Sequence, residues 1–331
     1  MLFTPAVAIA ALTALATASP SVHKRQTAFD TNVAKERVTA LNYALGNIGG
    51  THHTKVPAAD AGIVVASPSN YYPNYFYTWT RDSALTYAMI VDELIFGNLS
   101  LEKTIEDYTL AQADLQTVDN PSGTLWPAGL GLGEMKFFTN KTRFNEDWGR
   151  PQRDGPALRA TVFIKLCQAL IANKKESVAK EVYWPLILND LKYVGQYWNE
   201  TGYELWEEVH GTSFFTLNAQ HRALTSGGYL AETLGVPCKP CKQAPEIACL
   251  LQHFWNGTGN YITADVNRNQ ITTRSGINAS PLISSIQVFD IAATCDASGK
   301  NSPSDQTSIQ WLKTLLVLTP RQTSNPATRR C

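Results

Sequence analysis

Along residues 34–48 the apolar side chains Ala34, Val38, Leu41, Leu45 and Ile48 recur at alternating steps of four and three, and the run stops at Gly49-Gly50. That spacing places them on one face of an amphipathic helix that ends where glycine favours a stop. A second stretch, GPALRATVFIKLCQALIAN (155–173), is patterned differently: Pro156 suits a first helical position, and the apolar residues after it occupy nearly the whole circumference. It predicts a helix buried on most of its faces. Helical patterns also cover 82–96, 102–118, 177–198 with a boundary at Trp184-Pro185, 213–234 and 244–254. Gly-, Pro- and aromatic-rich loops separate them, and strand–helix alternation and short repeats are missing. The pattern predicts a helical scaffold that carries its chemistry on loops.

Two end segments stand apart. AVAIAALTALATA (6–18) has the length of a signal-peptide apolar region and is too short to span a bilayer; Ala16-Thr17-Ala18 supplies a cleavage site, although MLFTP before it carries no positive charge. Lys24-Arg25 reads as a dibasic processing site, so the expected order is a signal peptide at 1–18, a propeptide at 19–25 and a mature start at Gln26. No later segment reads as a transmembrane helix. From about Asn301 the helical pattern fails: a brief apolar run from Trp311 to Leu318 gives way to a polar, basic end closing on Cys331.

The sequon asparagines Asn98, Asn140, Asn199, Asn256 and Asn278 agree with export, as glycan acceptors if exposed. Of the six cysteines, Cys238 and Cys241 can close a small disulfide loop. The competing zinc reading lacks a second pair of ligands, and no metal is expected. Spacing assigns no partner to Cys249, Cys295 or Cys331.

Composition narrows the ligand. Lys plus Arg and Asp plus Glu both count 28, so no net field draws in nucleic acid or an anionic membrane. A neutral polymer suits such a surface. Aromatic residues make up 10% of the chain, and a flat ring edged with polar atoms stacks on a sugar face, although most rings belong to the core.

Charge is clustered against this background. TGYELWEEVHG (201–211) sets Glu204, Glu207 and Glu208 beside Tyr203 and Trp206 in a chain that is only 17% charged. Like charges near apolar rings favour a retained proton, which makes a general acid; a solvated acidic turn is the bland alternative. YFYTWTRDS (75–83) joins Trp79 to Arg81 and Asp82, and WGRPQRDGPALRA (148–160) joins Trp148 to Arg150, Arg153 and Asp154. An Arg–Asp pair complements adjacent sugar hydroxyls, and a purely structural pair competes with that reading in each loop. GLGLGE (129–134) has neither the preceding strand nor the following Lys of a phosphate loop.

These loops, together with AGIVVASPS (61–69), PSGTLWPAGLGLGEMKF (121–137), the run from Trp184 to Leu224 and QAPEIACLLQHFW (243–255), closely resemble the fungal glucoamylases of glycoside hydrolase family 15, inverting starch-degrading exo-glucosidases. The likeness runs from about residue 28 to about 298, and Thr201-Gly202-x-Glu204-x-Trp206-Glu207-Glu208-x-x-Gly211 is its most specific part. The resemblance implies an all-α, (α/α)6-barrel hydrolase, secreted, monomeric and free of cofactors, that acts on starch, maltodextrins and related α-glucans and releases β-glucose. It implies that Glu207 is the general acid and Trp206 helps hold it, that Glu208 binds sugar hydroxyls, that Arg81 and Asp82 grip the terminal glucose, and that Trp79 and Trp148 line the pocket. The family usually has Asp where Glu204 stands, an acid read as support for the general acid after an earlier reading as base.

Inversion needs a second carboxylate about 6.5–9.5 Å from the acid. Glu207 and Glu208 are too close in the chain to flank a substrate, and Glu204 shares a side with Glu207 if the stretch is helical. The family's base lies in a Ser-Glu-Gln-Tyr-type segment, which this chain lacks, as it lacks the family's later helices and starch-binding domain. In the family the counterpart of Cys249 pairs with a distant C-terminal Cys, and that of Cys295 with one a few residues on. The expectation is therefore the N-terminal part of the barrel at 26–298 and a divergent tail at 299–331, as a frameshift would leave, without turnover by this chain.

Overall fold

The structure, a computed structural model, describes residues 28–268 and 274–288. The expected signal peptide, propeptide and tail, with Cys295 and Cys331, lie outside the described residues. Two compact units divide the described chain: residues 28–147 with 162–189, and residues 148–161 with 190–268 and 274–288.

In the first unit, α1 (Ala28–Gly46) carries the expected apolar stripe, but only Leu45 is buried on it and Val38 stays 60% exposed. After the helix, Ile48 bridges Val64, and a Cβ on Gly49 would collide with the backbone of Ala59 and Asp60. Helices α2 (Thr80–Ile95) and α3 (Glu102–Thr117) pack on each other through Tyr87 and Tyr108, whose rings stack at 3.8 Å and meet Phe163. Strand β1 (Tyr77–Trp79) runs antiparallel to β2 (Lys136–Phe138), with Trp79 opposite Lys136. Val56, Ile63, Val65, Ala111, Leu115 and Phe137 form one core cluster, and Trp79, Met135 and Phe144 another.

Helix α4 (Gly155–Ala172) has Pro156 in its first turn, where a missing N–H costs nothing. It is long and apolar enough to cross a membrane by length and composition, with a mean hydropathy of 1.2. Two-thirds of it is buried within the protein, as its all-round apolar pattern predicts for a core helix. The predicted helix at 177–198 divides at the expected place. Short α5 (Glu176–Val178) passes through a π-helical turn at Ala179–Tyr183 into α6 (Trp184–Tyr197). Pro185 has no N–H for the ladder, and the wider turn before it absorbs the break.

In the second unit, α7 (Phe214–Thr233) packs against α8 (Ala244–Leu251) and α9 (Ser280–Val288). Helix α9 is an addition to the predicted set: its short Ser-rich run gives too few turns for a clear period. Three strands, β3 (Gly202–Tyr203), β4 (His210–Ser213) and β7 (Asp265–Val266), form an antiparallel sheet, and β5 (Trp255–Asn256) pairs with β6 (Tyr261–Ile262). Strands of two to four residues carry no readable alternation. Arg159 and Asp190 meet in a buried two-bonded pair at 2.9 and 2.7 Å. Losing either partner would strand a buried charge.

Candidate active site

Backbone geometry makes the acidic stretch a hairpin loop rather than a helix. The N–H of Glu204 donates to Val209 O at 3.1 Å, closing the loop next to the β3–β4 pairing, and the N–H of Glu207 donates to Glu204 O at 2.9 Å. Glu204 does not project into solvent beside Glu207. It is 3% exposed, and its carboxylate turns inward to accept the backbone N–H groups of Trp206 at 2.6 Å, Glu208 at 2.9 Å and Val209 at 3.2 Å. Three N–H groups converging on one anion make a fixed loop, because each would otherwise be an unsatisfied donor.

Glu207 occupies the tip in the left-handed region, with φ 62°. A residue with a Cβ pays roughly 1–2 kcal/mol to sit there, and such strain marks positions that the surroundings over-determine. Its Oε2 accepts the indole N–H of Trp148 at 2.7 Å, and its Oε1 accepts the side-chain amide of Gln152 at 2.8 Å. Gln152 is buried, and the segment that carries it is docked on the hairpin by the N–H of Tyr203 donating to Pro151 O at 2.9 Å. Gly149 is required there, since a Cβ would lie 2.8 Å from the Tyr203 ring. Trp148 and Trp206 keep 42% and 44% of their surface exposed, so two indoles with free area accompany the acid.

The remaining expected residues divide sharply. Glu208 is exposed and ion-paired with Arg274 at 2.6 Å. Arg153 is a structural cation: it donates to Glu200 at 2.7 Å, Tyr193 Oη at 3.0 Å and Thr201 O at 3.1 Å. The structural reading of that Arg therefore prevails. Trp79, Arg81 and Asp82 lie in the first unit, at the β1–α2 junction. Trp79 is buried against Met135 and Phe144; Arg81 is also buried, with Nε 3.8 Å from the half-exposed carboxylate of Asp82.

Three residues escaped the sequence reading. Gln152 holds Glu207. Lys136 is buried with Nζ 4.1, 4.6 and 4.7 Å from the ring centres of Phe144, Tyr77 and Trp79. Asp265, on β7 opposite Ser213, has its carboxyl pushed up to about 6 by burial and by the charge of Glu204, with Arg268 opposing. Strand register brings Lys136 and Asp265, and the docking of Pro151 on Tyr203 brings Gln152, close to the loops concerned, and neither was readable.

Cys238 and Cys241 form a disulfide, Cys249 is also disulfide-bonded, and Cys167 is a buried free thiol. Asn140, Asn199 and Asn278 are exposed; Asn98 and Asn256 are half-buried, and the amide of Asn256 donates to Tyr261 Oη at 3.0 Å. Among the described residues, no three His, Cys, Asp or Glu gather as a metal site.

Residues 39–324 match the sequence family described as Glycosyl hydrolases family 15. Glucoamylase P of Amorphotheca resinae is 52% identical over 290 residues, covering 88% of this chain and 46% of that protein. The structure of Hormoconis resinae glucoamylase superposes with a TM-score of 0.77 at 51% identity, over 86% of this chain and 48% of that one. The family 15 glucoamylase from Hypocrea jecorina gives 0.78 at 42% identity, over 87% and 47%. The chain spans about half the length of these relatives.

Proposed function

The chain belongs to glycosyl hydrolases family 15 and has the all-α fold of part of that family's (α/α)6 barrel; from this premise we propose that it takes part in exo-hydrolysis of α-1,4-linked glucose from starch and malto-oligosaccharides, with inversion to β-glucose. The observation that carries the reading is Glu207, held in a strained left-handed turn with one neutral N–H donor on each carboxyl oxygen.

In this reading Glu207 protonates the glycosidic oxygen of the departing chain. The Trp148 indole and Gln152 amide fix the carboxyl's direction, and their dipoles meet the negative charge that appears on it once the proton leaves. Glu204 is a positioning residue: its three N–H partners shape the loop that presents Glu207. Trp148 and Trp206 stack on sugar rings, Arg81 and Asp82 bind hydroxyls of the terminal glucose with Trp79 behind them, and Glu208 binds hydroxyls by exchanging its Arg274 partner for them. The same reading takes residues 1–18 as a signal peptide, 19–25 as a propeptide, 26–298 as the catalytic part and 299–331 as a divergent tail. It makes the protein a secreted, glycosylated monomer.

A second reading, saccharide binding without turnover, is favoured by one feature. The carboxylate of Glu204, the acid three residues from Glu207, is occupied by three backbone N–H donors and is not free to act as a base. Glucose release from maltose and soluble starch, by the wild type and by Glu207→Gln, decides between the two. The hydrolase reading predicts release that the substitution lowers by about 10²–10⁴. Release that survives the substitution would remove Glu207 from the acid role, and binding without release would establish the second reading.

A further inference from the structure

Ahead of the Trp79-Thr80-Arg81-Asp82 segment lies a loop whose aromatic side chains point away from the core. Residues 68–75 are all exposed, and Tyr71 and Tyr72 keep 83% and 92% of their surface in solvent. Two adjacent rings left this open forfeit the burial that usually accounts for an aromatic residue.

The loop is nonetheless fixed. Ser69 is its pivot: its hydroxyl donates to Tyr71 O at 3.3 Å and Pro73 O at 3.1 Å, and its carbonyl accepts the N–H of Tyr75 at 3.0 Å. Asn74 locks the exit, accepting the N–H of Phe76 at 3.0 Å and donating to Tyr77 Oη at 3.3 Å. The rings thus stand on an ordered base, so less freedom is lost when they take up a partner.

Charge selects the partner. Residues 61–80 contain no Asp, Glu, Lys, Arg or His, so the loop itself supplies no charge for phosphates, lipid headgroups or charged peptides. It offers flat rings, hydroxyls and the side-chain amide of Asn70. The loop's far end also meets the expected sugar-binding segment, since the exposed ring of Tyr75 lies 6.3 Å from that of Trp79.

We propose that Tyr71 and Tyr72 form an auxiliary platform for an α-glucan chain, stacking on glucosyl units of a polymer outside the part of the site that takes the terminal sugar. The choice of glucan as polymer rests on the function proposed above; the platform itself rests on exposure, anchoring and neutrality. It adds affinity for long chains and none for a disaccharide.

Native electrophoresis in gels cast with and without amylopectin tests this, using the wild-type chain, the double variant Tyr71→Ala/Tyr72→Ala and the ring-preserving Tyr71→Phe/Tyr72→Phe. Maltose affinity is measured in parallel by titration calorimetry. Because the side chains are exposed, circular dichroism of all three should coincide. The expected result is retardation of the wild type, an apparent dissociation constant for amylopectin about tenfold weaker in the alanine variant, near wild-type retardation in the phenylalanine variant, and unchanged maltose affinity. Equal retardation of wild type and alanine variant, or no retardation of the wild type, overturns the platform. So does a wild-type dimer that the alanine pair dissociates, since the patch would then serve a second copy. Tyrosine-dependent retardation without maltose binding would sink the terminal-glucose site and leave the platform standing.

Discussion

The hairpin loop Glu204–Val209 and the β1–α2 junction Trp79–Asp82 are both short aromatic segments with paired charges, yet they are held in opposite ways. The loop is shaped from within: its own buried carboxylate gathers three of its own N–H groups, and its tip residue is strained to φ 62°. The junction is shaped from outside. Its tryptophan is pinned by Met135 and Phe144, and the cation of Lys136, from the paired strand, sits among Tyr77, Trp79 and Phe144. Local self-bonding shapes the turn that carries Glu207, and Trp148 and Gln152 orient its carboxylate from outside the loop. Packing across a ladder holds the buried Trp79 and, next to it, the Arg81–Asp82 pair.

That contrast predicts different failures. Glu204→Ala should have the largest effect on stability. Leaving three loop N–H groups without their anion should lower unfolding free energy by about 3–5 kcal/mol in urea titrations and disorder the turn. A loss under about 1 kcal/mol would mean that water replaces the carboxylate without difficulty, and the loop would not be self-shaped. Lys136→Met is the corresponding cut at the junction. Loss of a desolvated cation over three rings should cost about 2 kcal/mol and alter tryptophan fluorescence through Trp79. Unchanged stability and emission would show that the rings alone hold the junction.

The smallest effect belongs to Asp265, whose carboxyl feels the charges of Glu204 and Arg268. Its folded pKa, about 6, lies above its ordinary value of 3.8. Between these pH values the unfolded chain gives up its proton first, so this residue's contribution to stability falls as pH rises from about 4 to about 6 and is level above. Asp265→Asn should remove that fall and gain about 1 kcal/mol at neutral pH, allowing for solvent screening. A thermal-melt series with the same pH slope in both proteins would show that Asp265 is not coupled to the loop.

The difference between the two regions also explains what could be read in the sequence. Pro156 and the all-round apolar run foretold α4, and Trp184-Pro185 foretold the break that the π turn absorbs, because both signals are local. The acidic cluster was recognisable as a motif, but not the inward turn of Glu204, which depends on β3 pairing with β4 rather than on helical spacing. Lys136, Gln152 and Asp265 were missed for the same reason: each acts on a residue far away in the chain. For Arg153 the sequence offered a structural pair beside a sugar-binding fork, and its partners Glu200 and Tyr193 bear out the structural one.

In the proposed function the hairpin presents Glu207 as a proton donor. That role is tested most directly by comparing maltose with α-glucosyl fluoride as substrates for the wild type and Glu207→Gln, since fluoride departs without needing a proton. The account predicts that the variant loses about 10²-fold or more on maltose and keeps most of its rate on the fluoride. Equal losses on both substrates, or maltose hydrolysis that survives the substitution, would contradict it.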